Sequence, residues 1–181
     1  MGSAEGIREL RAQVPEAVHD SAARAMLLDP RDTGTAAACA HLLERLWRGS
    51  LLSEAMTDTL RSMLARCKTA PDRLPALLPR GTPVARKTGT GGTSRGVTVA
   101  VNDVGVIRLP NGDDVAIAVL IGGSRGSMSR AERLIARIAR TVFDAWSALD
   151  STGSAEETPA RNVPRTISGQ VVPIGGDMQR N

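Results

Sequence analysis

At 181 residues the chain is long enough for one domain. Its aromatics are limited to Trp47, Phe143 and Trp146, so a core must be aliphatic. The formal charge is +4 with a pI near 10.0, but the arginines are dispersed and not interleaved with aromatics, which argues against a nucleic-acid partner. No run reaches the ~18 apolar residues of a membrane span. Cys39 and Cys67 sit in no CxxC or histidine-spaced pattern, so no metal site is expected and no other cofactor is called for.

In chain order, residues 3–12 read as a short helix capped by Ser3, with Ile7 and Leu10 on one face. Residues 13–35 are less regular. A firm helix is predicted from Thr35 to Arg48, its apolar face made of Ala38, Leu42, Leu43, Leu46 and Trp47, with Gly49 ending it. Ser53 should cap a second helix to Cys67 that carries Met56, Leu60, Met63 and Leu64 on one face. Residues 68–83 hold four prolines and read as a loop that contains Arg73-Leu74-Pro75.

Three antiparallel strands are predicted next, over 84–88, 97–109 and 115–121. Asn111-Gly112-Asp113 supplies a hairpin signal between the last two. Residues 129–149 alternate as an amphipathic helix, with Leu134, Ile135, Ile138, Val142, Phe143 and Trp146 along one side. Beyond 150 the composition turns to Ser, Thr, Gly and Pro. The expected organisation is therefore a domain over 1–150 and a disordered tail over 151–181, making few contacts with the body.

The first predicted strand carries Lys87-Thr88-Gly89-Thr90. Of the 23 basic residues only Lys68 and Lys87 are lysines, so a compact ammonium at this position is a departure from the chain's own habit. Lys-Thr-Gly is one of the three signatures of serine β-lactamases and penicillin-binding proteins. The surrounding text, RLPALLPRGTPVARKTGTGGTSRGVTVAVNDVGVIRLPNGDDVAIAVLI, resembles the last three strands of a class A β-lactamase. AERLIARIARTVFDAW resembles that family's closing helix.

The resemblance implies an α/β (α+β) fold, an antiparallel sheet with packed helices, forming the C-terminal portion of the serine β-lactamase/DD-peptidase fold. It also implies a serine β-lactamase-like hydrolase that opens the lactam ring through an acyl-serine, with a β-lactam or an acyl-D-Ala-D-Ala peptide as partner. Lys87 would support the substrate carboxylate and the proton relay, Thr88 would contact it, and Gly89 would leave room for the substrate against the strand. The N–H of Thr90 would be one oxyanion donor. Arg95 stands where several class A enzymes place an arginine near the carboxylate. Glu16 stands in the zone of the loop glutamate that positions a deacylating water, although its spacing differs from the family pattern.

Two signatures are missing. No serine in these 181 residues is followed three positions on by lysine, and no Ser-x-Asn occurs. The first strands and the nucleophile helix of the family are expected to be absent, as is most of its helical domain. An exported enzyme is implied by the family, yet MGSAEGIRELRA lacks the basic-then-apolar layout of a signal peptide. Three readings stay open: a truncated β-lactamase-like hydrolase, a D-Ala-D-Ala carboxypeptidase or esterase fragment, and a non-catalytic remnant or interaction module. The last could pair with a separately encoded N-terminal half.

Overall fold

A computed structural model describes residues 3–31, 33–152 and 165–168. Four helices come first: α1 (Ala4–Ala12), α2 (Glu16–Leu28), α3 (Ala36–Trp47) and α4 (Glu54–Ala65). Strands β1 (Val84–Thr90), β2 (Thr93–Ser94), β3 (Val97–Arg108) and β4 (Asp114–Arg125) follow, then α5 (Met128–Thr152) and β5 (Arg165–Ser168). The sheet runs β1-β3-β4-β5, with β2 pairing β3. The fold class is therefore as expected, a mixed α/β structure whose main strands are antiparallel.

The β3–β4 hairpin forms because Asn111-Gly112 turns tightly. Gly112 takes φ 89°, and the Asn111 side chain accepts the Asp113 N–H at 2.9 Å. Alternation along β3 and β4 then sorts the two faces. Val101, Ile107, Val115, Ile117, Val119 and Ile121 point toward α5 and pack with Ala131, Ile135, Ala139 and Phe143. Ala116, Ala118 and Val106 turn the other way, against Ala36, Ala40 and Leu43 of α3. Arg61 ties α4 to α3 by donating to the Trp47 carbonyl while lying over its indole ring.

Several expectations are corrected. The segment read as less regular contains α2, which its Ala-, Leu- and Met-rich sequence favours once Pro15 and Asp29-Pro30 bracket it. On α3 the inner face is Ala36, Ala40, Leu43 and Leu46, whereas Leu42 is 60% exposed. Small alanines let the helix lie close on Ala118, and that proximity outweighs the larger side chain. On α4 Thr57 is buried while Met56 and Met63 face solvent.

Within the segment expected to be a tail, residues 165–168 pair in parallel with Val115–Ala118 of β4. With α5 between them in sequence, β4 and β5 make a β-α-β crossover. The physical reason is that β4 offers a further ladder edge and Thr-Ile is β-favouring. Residues 151 and 152 complete α5; the remainder of the tail lies outside the described residues. No described helix is long and apolar enough to cross a membrane.

Candidate active site

The site grows from the outer strand β1. Alternation places Lys87 on the side of Val104 and puts Arg86, Thr88 and Thr90 on the side of Gly105, Asp103 and Val101. Lys87 is exposed, its ammonium donating to the Thr88 carbonyl of its own strand. Thr88 is half-buried and its Oγ1 lies 2.7 Å from Oγ1 of Thr69. The four residues Lys87, Thr88, Gly89 and Thr90 are thus presented together on one strand.

What holds that strand is a pair of arginines. Arg86 is buried and donates to Oδ2 of Asp103 at 2.6 Å, and its other arm reaches the carbonyls of Thr69 and Ala70. Ala70 adopts φ 45°, a left-handed backbone that a residue with a Cβ takes at a cost. Burial pushes the Asp103 carboxyl above its ordinary value, against the opposing pull of Arg86, the Leu74 N–H and Arg73. Its Oδ1 is buried without a hydrogen-bond partner.

Arg73, 2% exposed, is the second. It donates to the Gly89 and Asn102 carbonyls at 3.0 and 2.9 Å, to Oγ1 of Thr90 at 2.7 Å, and to Glu132 of α5 at 3.3 Å. One guanidinium therefore clamps the Gly89-Thr90 end of β1 to β3 and α5. Sequence reasoning placed Arg73 only in a loop. Its signal was faint: one of three basic residues, with Lys68 and Arg80, in a Pro- and Leu-rich loop, whose partners appear only once the loop folds onto the strand.

Glycine at 89 is not demanded by internal packing, a status it shares with Gly6, Gly34, Gly92 and Gly122. A Cβ there would meet only the Asn102 side chain, at an ordinary 3.6 Å, and Gly89 is not among the positive-φ glycines. By contrast, a Cβ at Gly105 would lie 2.5 Å from the Ala85 carbonyl, and at Gly91 2.9 Å from the Ala100 nitrogen. Those two glycines are required by the fold. Nothing inside the described protein requires the one in Lys-Thr-Gly.

Arg95 and Glu16 are not part of this group. Arg95, on the β2–β3 turn at φ 46°, is ion-paired with buried Asp20 of α2, which also accepts from Ser94. Glu16 is exposed in the first turn of α2. Asp20, one helical turn beyond it, is the carboxylate that α2 brings to the sheet, and sequence reasoning passed over it. A groove of about 580 Å³ lies on the α5 side, lined by residues that include Asp72, Leu77, Glu132, Arg133 and Arg137. Lys87 and Thr88 do not line it. Among the described residues no cluster of three or more His, Cys, Asp or Glu is placed to hold a metal.

The model of the beta-lactamase enzyme family matches residues 4–146, a stretch that takes in both α2 and the whole Lys87 strand. The chain belongs to this family. Among curated relatives, the extended-spectrum beta-lactamase PER-1 of Pseudomonas aeruginosa is 39% identical over 104 residues, 58% of this chain and 34% of that protein. Beta-lactamase VEB-1 of the same organism is 37% identical over 97 residues, 54% of this chain and 32% of the relative. The chain thus spans about a third of the length of these relatives.

Solved structures agree. The TLA-1 extended-spectrum beta-lactamase superposes with a TM-score of 0.61 at 39% identity, covering 62% of this chain and 41% of that one. A class A beta-lactamase from Bacteroides cellulosilyticus gives 0.61 at 29% identity, covering 64% and 42%. For a beta-lactamase-family chain, then, the Lys-Thr-Gly strand stands at the sheet edge opposite β5, with Lys87 accessible.

Proposed function

We propose that this chain supplies the substrate-anchoring part of a serine β-lactamase-type site, in which Lys87 and Thr88 hold a carboxylate and the Thr90 N–H polarises the reacting carbonyl. The observation that carries this reading is Gly89. A strand glycine that no internal contact demands, set between Thr88 and Thr90 on the outer strand beside an exposed ammonium, fits a substrate laid along that strand. Arg73 supports the anchor by fixing the Thr90 hydroxyl and the Gly89 carbonyl.

The acyl-serine step needs a nucleophile with a lysine one turn away, and these 181 residues contain no such pair. The serine would come from residues outside them, in a longer polypeptide or in a complementing N-terminal half. The reaction is acylation of that serine by a β-lactam, the ring amide breaking as the ester forms, followed by hydrolysis of the ester by water. Glu16 is our candidate for positioning that water. The peptidase reading, with an acyl-D-Ala-D-Ala substrate, shares the same anchor; there the terminal amide breaks as the ester forms and D-alanine leaves, and a lactam-derived ester is hydrolysed slowly.

The test combines this chain with a polypeptide bearing the missing Ser-x-x-Lys and Ser-x-Asn signatures. Alone, the chain should neither hydrolyse a chromogenic cephalosporin nor form an adduct with a labelled penicillin. Together they should turn over the cephalosporin, and Lys87→Ala should abolish most of that rate. A penicilloyl adduct on the isolated chain, or recovered turnover indifferent to Lys87→Ala, would refute the assignment.

A further inference from the structure

The Thr88 hydroxyl is served differently from its neighbours on β1. The Lys87 ammonium turns to the Thr88 carbonyl, and Arg73 holds the Gly89 carbonyl and the Thr90 hydroxyl. Oγ1 of Thr88 instead meets Oγ1 of Thr69 at 2.7 Å, and Oγ1 of Thr69 meets Sγ of half-buried Cys67 at 3.3 Å. Thr69 is an exposed loop residue, yet its backbone is held. Buried Arg86 donates to the carbonyls of Thr69 and Ala70, and Ala70 at φ 45° turns the loop there. Thiol, hydroxyl and hydroxyl thus form a hydrogen-bond chain that ends on the Lys-Thr-Gly strand.

Each hydroxyl has one proton to donate, and a carboxylate only accepts. Thr88 can therefore hold a carboxylate only by donating to it, and is best placed to do so when its oxygen accepts from Thr69. We infer that Thr69 is a positioning residue for the substrate anchor: it donates to Thr88, neutral Cys67 donates to Thr69, and the Thr88 proton is left for the substrate carboxylate. The inference rests on the reading of Thr88 as a carboxylate contact. The chain also has a reverse direction. A thiolate only accepts, so ionised Cys67 draws the Thr69 proton to sulfur, Thr69 accepts from Thr88, and the Thr88 proton is spent inside the protein. Hydrogen bonds in series polarise one another, so a change at Thr88 reaches the sulfur through Thr69.

Thiol alkylation on the full chain reads that connection. The charges bearing on Cys67 are those of Arg86 and Asp103, and the variants alter neither. At a fixed pH of about 8 the iodoacetamide rate follows the thiolate fraction. Thr69→Val removes the thiolate's donor and should slow alkylation of Cys67 by roughly threefold to tenfold. Thr88→Val, one link further, should slow it by roughly twofold to threefold, and Thr88→Ser should restore the parent rate. The Cys39 rate, read from the same digest, should stay unchanged. An unaltered Cys67 rate in Thr88→Val, a loss that Thr88→Ser does not restore, or an equal loss at Cys39 overturns the chain.

The positioning role is read in the reconstituted enzyme. With a cephalosporin that keeps its carboxylate, Thr69→Val should raise KM by roughly threefold to tenfold and change kcat by less than about twofold. Thr69→Ser should restore KM. With the methyl ester of the same cephalosporin, Thr69→Val should leave KM as it was, since no carboxylate remains to be held. An equal rise for acid and ester would mark a merely structural residue and overturn the assignment. Turnover indifferent to Lys87→Ala sinks the anchoring reading instead, and the alkylation rates still decide the hydrogen-bond chain, so the two failures are told apart.

Discussion

Replacing Arg86 by methionine separates the buried ion pair from the strand it steadies. Asp103 is fully buried, and without Arg86 its carboxylate keeps the Leu74 N–H at 3.2 Å as its nearest donor. The Thr69 and Ala70 carbonyls lose their donor as well. Removing one member of a buried ion pair typically costs about 3–5 kcal/mol, because the other charge is stranded. Asp103 can escape part of that loss by taking a proton, at about 1.4 kcal/mol for each unit by which the pH exceeds its folded pKa.

The sign of the pH dependence follows. A carboxyl whose folded pKa is raised holds more protons folded than unfolded, so stability falls as pH rises from the unfolded value through the folded one. Arg86→Met raises the folded value further and extends that window upward. The variant should therefore be destabilised by roughly 3–5 kcal/mol near pH 7 and by less near pH 5. Urea unfolding followed through Trp47 and Trp146 fluorescence at the two pH values measures both. Adding Asp103→Val should recover much of the loss, since an apolar replacement of the whole pair strands no charge. A single-variant loss below about 1 kcal/mol, or one that does not change with pH, would refute this account of the pair.

The glycines should split by role. Gly105→Ala, with 2.5 Å to a backbone carbonyl, should destabilise by about 1–3 kcal/mol, whereas Gly89→Ala should leave stability within about 0.5–1 kcal/mol of the parent and be felt only in turnover of the reconstituted enzyme. Thermal melts beside the cephalosporin assay compare the two. Ala70→Gly should be neutral or stabilising by up to about 1 kcal/mol, opposite to the usual direction, because φ 45° suits glycine; denaturant midpoints decide it. Burial pushes the Cys67 thiol up, but hydrogen bonding with Thr69 and the nearby Arg86 charge outweigh it and hold the thiol below its ordinary value. Its alkylation by iodoacetamide, followed by peptide mass spectrometry, should therefore set in at lower pH than for an unperturbed thiol.

The sheet was readable in advance because β3 and β4 alternate cleanly and Asn111-Gly112 marks their turn. The Lys87 strand was readable because one lysine among arginines stands inside a three-residue signature. The inner face of α3 was not, since Leu42 and Ala40 are equally acceptable on a helical wheel and only the closeness of Ala118 chooses between them. Nor were Arg73, Arg86 and Asp20. Each acts through partners far along the chain, such as Arg73 with Glu132 and Asp20 with Ser94, and a proline-rich loop carries no periodicity to announce such contacts. The strand at 165–168 was hidden for a related reason: four residues are too few to show alternation, and their pairing depends on an edge elsewhere.

The scarcity of lysine has a practical side. Reagents that acylate amines ignore guanidinium groups, so on this arginine-rich surface they find two side chains, Lys68 and Lys87, both exposed. The second lies in the Lys-Thr-Gly strand itself; the first adjoins Thr69, whose hydroxyl contacts Thr88. A molecule settling along β1 would shade Lys87, and the yield at each amine, read from one digest, would turn that shading into an occupancy. The composition of the chain has, in effect, installed a chemical gauge at the strand proposed to anchor substrate.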